Sequence, residues 1–239
     1  MSYLNTKPLI YGFEQGMMAD EVELVNDYPS KVAEKLLLDE IDIGLVPVAI
    51  IPSLPEHYII SDYCIGCDGP VASVCLFSDV PVEAIEIILL DYQSKTSVAL
   101  LKILLKEYWK ISPVLIMAGE GYEKQIGGTT AGLVIGDRAF QQRLVSTHIY
   151  DLGEAWKGLT GLPFVFAAWI SNKKLSPEFE AAFNAANKEG INRLDEVITK
   201  NPCTVFDLAE YYHTFIKFQM NITMREAIAL FLKKLNNGS

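Results

Sequence analysis

The chain has 239 residues, half of them hydrophobic, which is enough apolar material for a sizeable core and enough length for two lobes. Its 20 basic and 30 acidic residues give a formal charge of −10, which argues against a nucleic-acid binder because such proteins present a basic surface. An anionic ligand would therefore depend on local donors such as helix N-termini and hydroxyl groups.

The first predicted element is the end of a strand at residues 2–9, Ser-Tyr-Leu-Asn-Thr-Lys-Pro-Leu. Its polar side chains add nothing to a hydrophobic core, so we interpret them as a strand tip that faces a ligand. Residues 42–47 have the same arrangement, a short apolar strand that ends at a proline. Two such strand ends predict the rim of a parallel sheet, which is where ligands bind in open α/β sheets.

Hydrophobic periodicity predicts helices and strands in alternation along the rest of the chain. In chain order they are a helix from Pro29 that ends before Ile41, strands at 43–46, 59–65, 71–77 and 86–90, a helix at 97–109, strands at 114–117 and 132–135, a helix at 152–159, a strand at 163–170, a helix capped by Ser176 with Pro177 in its first turn, and a helix at 227–235 after a Thr223–Glu226 capping box. Asp68-Gly69 predicts a hairpin turn between two of these strands, since Gly tolerates positive φ. The restart of the alternation at Glu86 predicts a second lobe.

The sequence predicts neither a membrane span nor a secretory signal. The apolar run at residues 162–170 is far shorter than the ~20 residues of a spanning helix. Polar Asn5, Thr6 and Lys7 interrupt the start, where a signal peptide would need an apolar stretch. We therefore expect a cytoplasmic protein whose four cysteines remain thiols.

Six segments together resemble a known family of enzymes. They are residues 2–9, 42–47, 69–74 (Gly-Pro-Val-Ala-Ser-Val), 94–98 (Ser-Lys-Thr-Ser-Val), 135–137 (Ile-Gly-Asp) and 156–167. This set resembles the menaquinone-biosynthesis enzymes with a type II periplasmic-binding-protein fold, and among them the chorismate dehydratases of the futalosine route. The dihydroxynaphthoate synthases of that route have a Ser-Pro-Cys-Pro-Asn-Asp type motif where this chain has residues 2–6, so the resemblance favours the dehydratases.

The resemblance implies an α/β fold of two lobes with the ligand cleft between them. Residues 1–80 and 171–239 would form the first lobe and residues 81–170 the second, with crossovers at 77–82 and 167–172. Family members usually carry several strand residues before the Ser-Tyr-Leu-Asn segment, whereas only Met1 precedes Ser2 here. Either the first strand is shortened or the start lies upstream.

The resemblance also implies a function, the loss of water from chorismate to give 3-[(1-carboxyvinyl)oxy]benzoate in menaquinone biosynthesis. Two alternatives stay open at this point, the dihydroxynaphthoate synthase reaction and a non-catalytic protein that binds a small anion. The absence of an export signal speaks against the second. Cys64 and Cys67 have zinc-like spacing without a second pair, and the glycines at 119–121 and 127–128 lack the pattern of a nucleotide loop, so we expect neither metal nor cofactor.

Such a dehydration needs donors for a developing oxyanion, help for the departing hydroxide, and a base. Residues 94–97 join a strand to a helix, where free N–H groups and the hydroxyls of Thr96 and Ser97 would bind a carboxylate. The simpler interpretation is an ordinary helix cap. Asn5 would hold the departing hydroxyl, although a turn residue before Pro8 has the same appearance.

Ser73 is the second candidate catalytic residue, with a place on a strand face as the simpler interpretation. The further candidates for substrate binding are Tyr3, Thr6, Asp137 and Phe164. No histidine or carboxylate stands out as the base. Our hypothesis is that the enolpyruvyl carboxylate of the substrate removes the proton, so that positioning carries much of the rate enhancement.

Overall fold

The computed structural model describes residues 3–237, in which nine strands form two sheets. The strands are β1 (Ile43–Pro47), β2 (Tyr58–Cys67), β3 (Val74–Ser78), β4 (Ile87–Leu90), β5 (Val114–Met117), β6 (Thr130–Ile135), β7 (His148–Asp151), β8 (Phe164–Ser171) and β9 (Lys217–Gln219). The helices are α1 (Lys7–Glu14), α2 (Pro29–Leu37), α3 (Lys95–Leu104), α4 (Asp137–Arg143), α5 (Leu152–Thr160), α6 (Pro177–Asn192), α7 (Leu194–Lys200), α8 (Leu208–Glu210) and α9 (Ile222–Asn237). Short 3-10 turns include Leu4–Thr6 and Val48–Ser53, and π-helical turns lie at Leu105–Trp109 and Tyr211–Phe215.

Each sheet is the centre of one lobe. The four-stranded sheet has the order β1-β8-β2-β9, and all of its pairs are antiparallel. The five-stranded sheet has the order β5-β4-β6-β3-β7, in which β4 runs parallel to β5 and β6 while β3 runs antiparallel to β6 and β7. The buried apolar residues of β3, β4 and β6 explain why these strands occupy the middle of their sheet.

Helices of the first lobe pack beside the four-stranded sheet. Pro8 stands in the first turn of α1, where its missing N–H costs no hydrogen bond, and Leu9, Ile10 and Phe13 are buried. As expected from the sequence, Ser176 caps α6, because its side chain accepts a hydrogen bond from the N–H of Phe179. These two helices pack closely on each other.

The chain crosses from one sheet to the other between β2 and β3. The predicted hairpin at Asp68-Gly69 is therefore wrong, since β2 pairs with β8 and β9 and β3 pairs with β6 and β7. Gly69 does adopt a positive φ of 107°. The Asp151 carboxylate accepts hydrogen bonds from the N–H groups of Val71 and Ala72, and this anchor directs the chain into the second sheet.

The strand pairing bears on where the lobes meet. β3, at residues 74–78, belongs to the five-stranded sheet, and β8, at residues 164–171, belongs to the four-stranded sheet. Lobe boundaries near residues 80 and 170 stay a prediction. The pairing favours crossovers slightly earlier, at residues 68–73 and 161–163.

Three elements differ from the sequence prediction. Residues 4–6 form a 3-10 turn that leads into α1, not a strand tip, and Ser2 lies outside the described residues. The rim of a parallel sheet was also wrong for β1, which pairs antiparallel with β8. Near the C-terminus, α9 begins at Ile222, and Asn221 instead of Thr223 accepts the N–H of Met224 at 2.9 Å.

Most of the other predicted elements are confirmed within one to three residues. The strand at 114–117 has the bounds that the sequence predicts, and the helix from Pro29 ends at Leu37. The helix predicted at 97–109 begins two residues earlier and changes to a π-helical turn after Leu104. In the described range 3–237, no helix combines the length and the apolar character that crossing a membrane requires.

Candidate active site

A cavity of about 60 Å³ lies between the two sheets. Both lobes supply its walls, which are formed by Tyr3, Asn5, Thr6, Pro29, Leu45, Pro47, Ile65, Val71, Ser73, Val74, Ser94, Ser97, Ile135, Gly136, Phe166 and Ala167. In the described part of the chain, no Asp, Glu, Lys, Arg or His side chain lines it. The cleft therefore offers neutral hydroxyl, phenol and amide groups set in an apolar wall.

The N-terminus of α3 borders this cavity through Ser94 and Ser97. Ser94 caps the helix, since its Oγ accepts the N–H of Ser97 at 3.1 Å and lies 2.8 Å from Ser97 Oγ. The first N–H groups of a helix have no acceptor within the helix and carry a partial positive charge. This end of α3 is suited to a carboxylate.

The 3-10 turn Leu4–Thr6 presents Asn5 and Thr6 from the first lobe. Two contacts hold this turn: the N–H of Leu4 donates to Asp137 Oδ1 at 3.1 Å, and Tyr212 donates to the carbonyl of Leu4 at 2.8 Å. Burial raises the pKa of Asp137, while the hydrogen bond from Leu4 and the charge of Lys7 oppose that shift. The turn is thus fixed from the second lobe as well as from the C-terminal region.

Tyr3 reaches across the cleft to the second lobe. Its hydroxyl donates to Gln93 Oε1, and burial raises the pKa of Tyr3 to about 12, so the phenol stays a neutral donor. Behind Gln93, Arg138 pairs with the buried Asp91 at 2.7 Å and with Glu123 at 2.6 Å. This ion-pair group supports the wall of the cleft.

Ser73 lies in the crossover between the lobes, one residue before β3. It is 1% exposed, and its Oγ accepts a hydrogen bond from the Tyr211 hydroxyl at 2.7 Å. The preceding Ala72 has a φ of 63°, a conformation unfavourable for a side chain with a Cβ. Strain of this kind is held in place by the surroundings, here by the Asp151 anchor, and it accumulates at functional sites.

Five of the eight residues expected from the sequence line the cavity. They are Tyr3, Asn5, Thr6, Ser73 and Ser97. The structure thereby brings together side chains as far apart in sequence as Tyr3 and Ser97.

Thr96, Asp137 and Phe164 do not line it. Thr96 is buried, and its Oγ1 accepts the N–H of Ala49 at 3.1 Å, which ties the start of α3 to the first lobe. Asp137 holds the 3-10 turn, as described above. Phe164 packs in the core against Trp156, Phe166 and Phe231, with ring centroids 4.7–5.2 Å apart.

The sequence reasoning assigned no role to Gly136, Phe166 and Tyr211. Gly136 has a φ of 63°, and a Cβ there would lie 2.5 Å from the Tyr3 ring, so only glycine allows this close approach. Gly136 and Phe166 both lie within the segments that carry the family resemblance, which was the available signal. No sequence signal indicated Tyr211, because its contact with Ser73 joins residues 138 positions apart and depends on the fold.

Two larger grooves are present, and the first adjoins the small cavity, with which it shares Tyr3, Thr6, Pro29 and Leu45. One of about 490 Å³ beside β1 has five acidic residues (Glu21, Glu23, Asp27, Glu40, Asp42) against Lys35 and Lys173, which disfavours an anion. The other, of about 770 Å³, is a surface groove between α3 and α9. The residues that line the first groove all come from the first lobe, whereas the second groove brings Asp91, Ser94 and Lys95 near Lys233 and Lys234 of α9.

No group of three or more His, Cys, Asp or Glu side chains within residues 3–237 is arranged to hold a metal ion. Cys64 and Cys67 are buried free thiols on β2. Burial raises the pKa of Cys64 to about 12 and raises that of Cys67 as well, so neither is readily ionised into a metal ligand.

Comparison with known proteins gives one family and one fold. The sequence model of a family described as menaquinone biosynthesis matches residues 1–237. A chorismate dehydratase from Thermus thermophilus is 28% identical over 221 residues, which is 82% of this chain and 77% of that protein.

Solved structures with low sequence identity share the fold. Protein AF1704 from Archaeoglobus fulgidus superposes with a TM-score of 0.69 at 15% identity, covering 99% of this chain and 93% of that one. The periplasmic aliphatic sulphonate binding protein SsuA from Escherichia coli gives 0.58 at 14% identity, covering 98% and 88%. The expected two-lobed fold of the periplasmic binding proteins is confirmed.

Proposed function

Because the chain belongs to the menaquinone-biosynthesis family, we propose that its cleft binds chorismate and removes water from it to give 3-[(1-carboxyvinyl)oxy]benzoate. The similarity to a chorismate dehydratase supports this reaction. The observation that carries the proposal is the composition of the cleft, in which neutral donors from both lobes surround an apolar space.

Chorismate is a dianion, so its binding needs donors in a chain of net charge −10. The N-terminus of α3 with Ser94 and Ser97 receives the ring carboxylate, since this is where N–H groups and hydroxyls converge. A substituted ring with two carboxylates is larger than 60 Å³, a volume for roughly four to six water molecules. The lobes therefore part to admit the substrate and close around it.

The reaction breaks one C–H bond and one C–O bond. The proton leaves the ring carbon that bears the ether, and the negative charge spreads through the ring alkene onto the ring carboxylate. Donors fixed around that carboxylate stabilise the developing dienolate. Expulsion of hydroxide from the neighbouring carbon then completes the aromatic ring, and hydroxide takes up a proton to become water.

Asn5 and Ser73 face the departing hydroxyl from the first lobe and the crossover. The amide of Asn5 donates to the leaving oxygen, where negative charge increases in the transition state, and so lowers the barrier to C–O cleavage. Ser73 contributes a second donor at the same oxygen.

The base comes from the substrate. Tyr3 is the one ionisable side chain among the described residues that line the cavity, and its raised pKa of about 12 makes it a neutral donor, not a base. The enolpyruvyl carboxylate is held next to the proton to be removed, so that the closed cleft supplies orientation and effective concentration.

Incubation of the purified protein with chorismate tests the proposal. We expect the diene absorption to be replaced by that of a substituted benzoate, with loss of one water by mass, and the same rate after treatment with a chelator. Unchanged chorismate, or a product that retains the diene, would contradict it. Tyr11→Phe is a matched control, since Tyr11 bonds Glu196 on α7 away from the cleft, and it should keep the wild-type rate.

A further inference from the structure

Tyr211 is buried beside the cleft and is not among the described residues that line it. Its side chain is 1% exposed, and its hydroxyl donates to Ser73 Oγ at 2.7 Å. The Asn5 side chain also lies near this hydroxyl, since its influence lowers the pKa of Tyr211 against the rise that burial causes. One phenol therefore lies beside both side chains that face the departing hydroxyl.

The surroundings fix the Tyr211 ring firmly. It opens the π-helical turn Tyr211–Phe215, a rare conformation that recurs at functional sites. Its ring lies edge-on against Phe140 of α4 at 5.0 Å and against Phe206 at 6.1 Å. The adjacent Tyr212 donates to the carbonyl of Leu4, in the turn that carries Asn5.

The direction of the hydrogen bond matters for Ser73. A serine hydroxyl has one proton to donate and two lone pairs to accept with. Ser73 Oγ accepts from Tyr211, so the Ser73 hydroxyl can donate its own proton elsewhere, and Ser73 lines the cavity. Burial raises the pKa of Tyr211, so the phenol remains protonated and keeps its donor role.

We propose that Tyr211 is a positioning residue that holds Ser73 and Asn5 and directs the Ser73 proton at the hydroxyl that leaves. This inference rests on the proposed function, because it assigns Tyr211 a part in the same dehydration. Hydrogen bonds in a chain polarise one another, so donation by Tyr211 also makes Ser73 a stronger donor.

Steady-state kinetics with chorismate test this role in four proteins: wild type, Tyr211→Phe, Ser73→Ala and the double variant. The Phe variant keeps the ring and loses the hydroxyl. We expect its kcat to fall roughly ten- to one-hundredfold, less than the 10²–10³ for a donor that contacts the reacting oxygen directly, with KM nearly unchanged. The double variant should lose less than the product of the two single losses, because part of the effect of Tyr211 passes through Ser73 and the rest through Asn5.

The outcomes separate the two proposals. Wild-type protein that never converts chorismate would overturn the proposed function and the role of Tyr211 with it. Active wild-type protein together with an unchanged Tyr211→Phe, or with additive losses in the double variant, would overturn the role of Tyr211 alone. The role of Tyr211 would also be overturned if Tyr211→Phe lost no more kcat and no more thermal stability than the matched control Tyr11→Phe.

A second substitution covers the case in which Tyr211→Phe does not fold. Replacing Tyr211 with 3-fluorotyrosine keeps the ring and the hydroxyl and makes the phenol a stronger donor. We expect kcat to rise with KM unchanged. Wild-type kcat in this variant would contradict the proposal.

Discussion

Asn5 owes its place to the 3-10 turn Leu4–Thr6, which Asp137 and Tyr212 clamp from two directions. Because this turn is held without the Asn5 side chain, Asn5→Ala should fold normally. We expect its kcat to fall about 10²-fold or more while KM changes little, since help for the leaving oxygen counts mainly in the transition state. Steady-state kinetics check this, and wild-type turnover would remove Asn5 from the mechanism.

Ser97 and Thr96 are neighbours with different environments. Ser97 lines the cavity, whereas the Thr96 hydroxyl oxygen accepts the N–H of Ala49. Ser97→Ala should raise the dissociation constant for chorismate roughly tenfold or more, since a lost hydrogen bond to a charged group costs about 1.5–3 kcal/mol.

Thr96→Val keeps the shape and removes the acceptor, so it is the matched comparison. We expect it to lower the free energy of unfolding by about 1 kcal/mol and to change chorismate binding less than Ser97→Ala does. Calorimetric titration and thermal melts measure both effects. Equal losses of affinity in the two variants would place the anion site elsewhere along α3.

At the scale of elements, Gly136 at the N-terminus of α4 packs against the ring of Tyr3. A Cβ on Gly136 would collide with the Tyr3 ring at 2.5 Å, and Gly161 has a similar positive φ with open space around it. Both Gly136→Ala and Gly161→Ala therefore incur the backbone strain of positive φ, of order 1–3 kcal/mol. Only Gly136→Ala should also displace Tyr3 from Gln93 and raise KM.

Thermal melts and steady-state kinetics of the two glycine variants test this contrast. A Gly136→Ala protein with the KM of Gly161→Ala would show that contact between Tyr3 and Gly136 has no part in binding.

The local sequence pattern predicts where helices and strands lie better than it predicts which strands pair with each other. The apolar runs of β5 and β8 were evident in the sequence, and so was the Ser176 cap of α6, because these signals lie within a few residues. The pairing of β2 and β3 was not evident. A hairpin and a crossover share the same turn residues, and the Asp151 anchor that decides between them is about 80 positions away.

The candidate site shows the same limit. Tyr3, Asn5 and Thr6 were identified because their polar side chains add nothing to a hydrophobic core and because residues 2–9 belong to the segments that carry the family resemblance. Thr96 and Ser97 could not be told apart, since which hydroxyl of a helix cap faces a cleft depends on the packing of the other lobe. Phe164 and Phe166 are two positions apart on β8 and so share one face, and both are buried, but only Phe166 also lines the cavity.

At the scale of the whole molecule, contacts across the cleft hold the lobes together. They include the hydrogen bonds from Tyr3 to Gln93, from Leu4 to Asp137 and from Ala49 to Thr96. Because the cavity of about 60 Å³ is too small for chorismate, the proposed reaction requires the lobes to open.

We expect small-angle X-ray scattering to give a larger radius of gyration without ligand than with the bound product or a chorismate analogue. Domain closure around a ligand is the usual motion of two-lobed binding folds. Identical scattering curves under both conditions would contradict closure.

The most direct measurement of the central claim is a turnover count. Protein at one-hundredth or less of the chorismate concentration is incubated to completion, and chorismate and product are quantified by chromatography and mass. The account predicts many turnovers, with one molecule of 3-[(1-carboxyvinyl)oxy]benzoate formed for each chorismate consumed. Chorismate that is bound stoichiometrically and recovered unchanged would show that this cleft is a binding site without the chemistry.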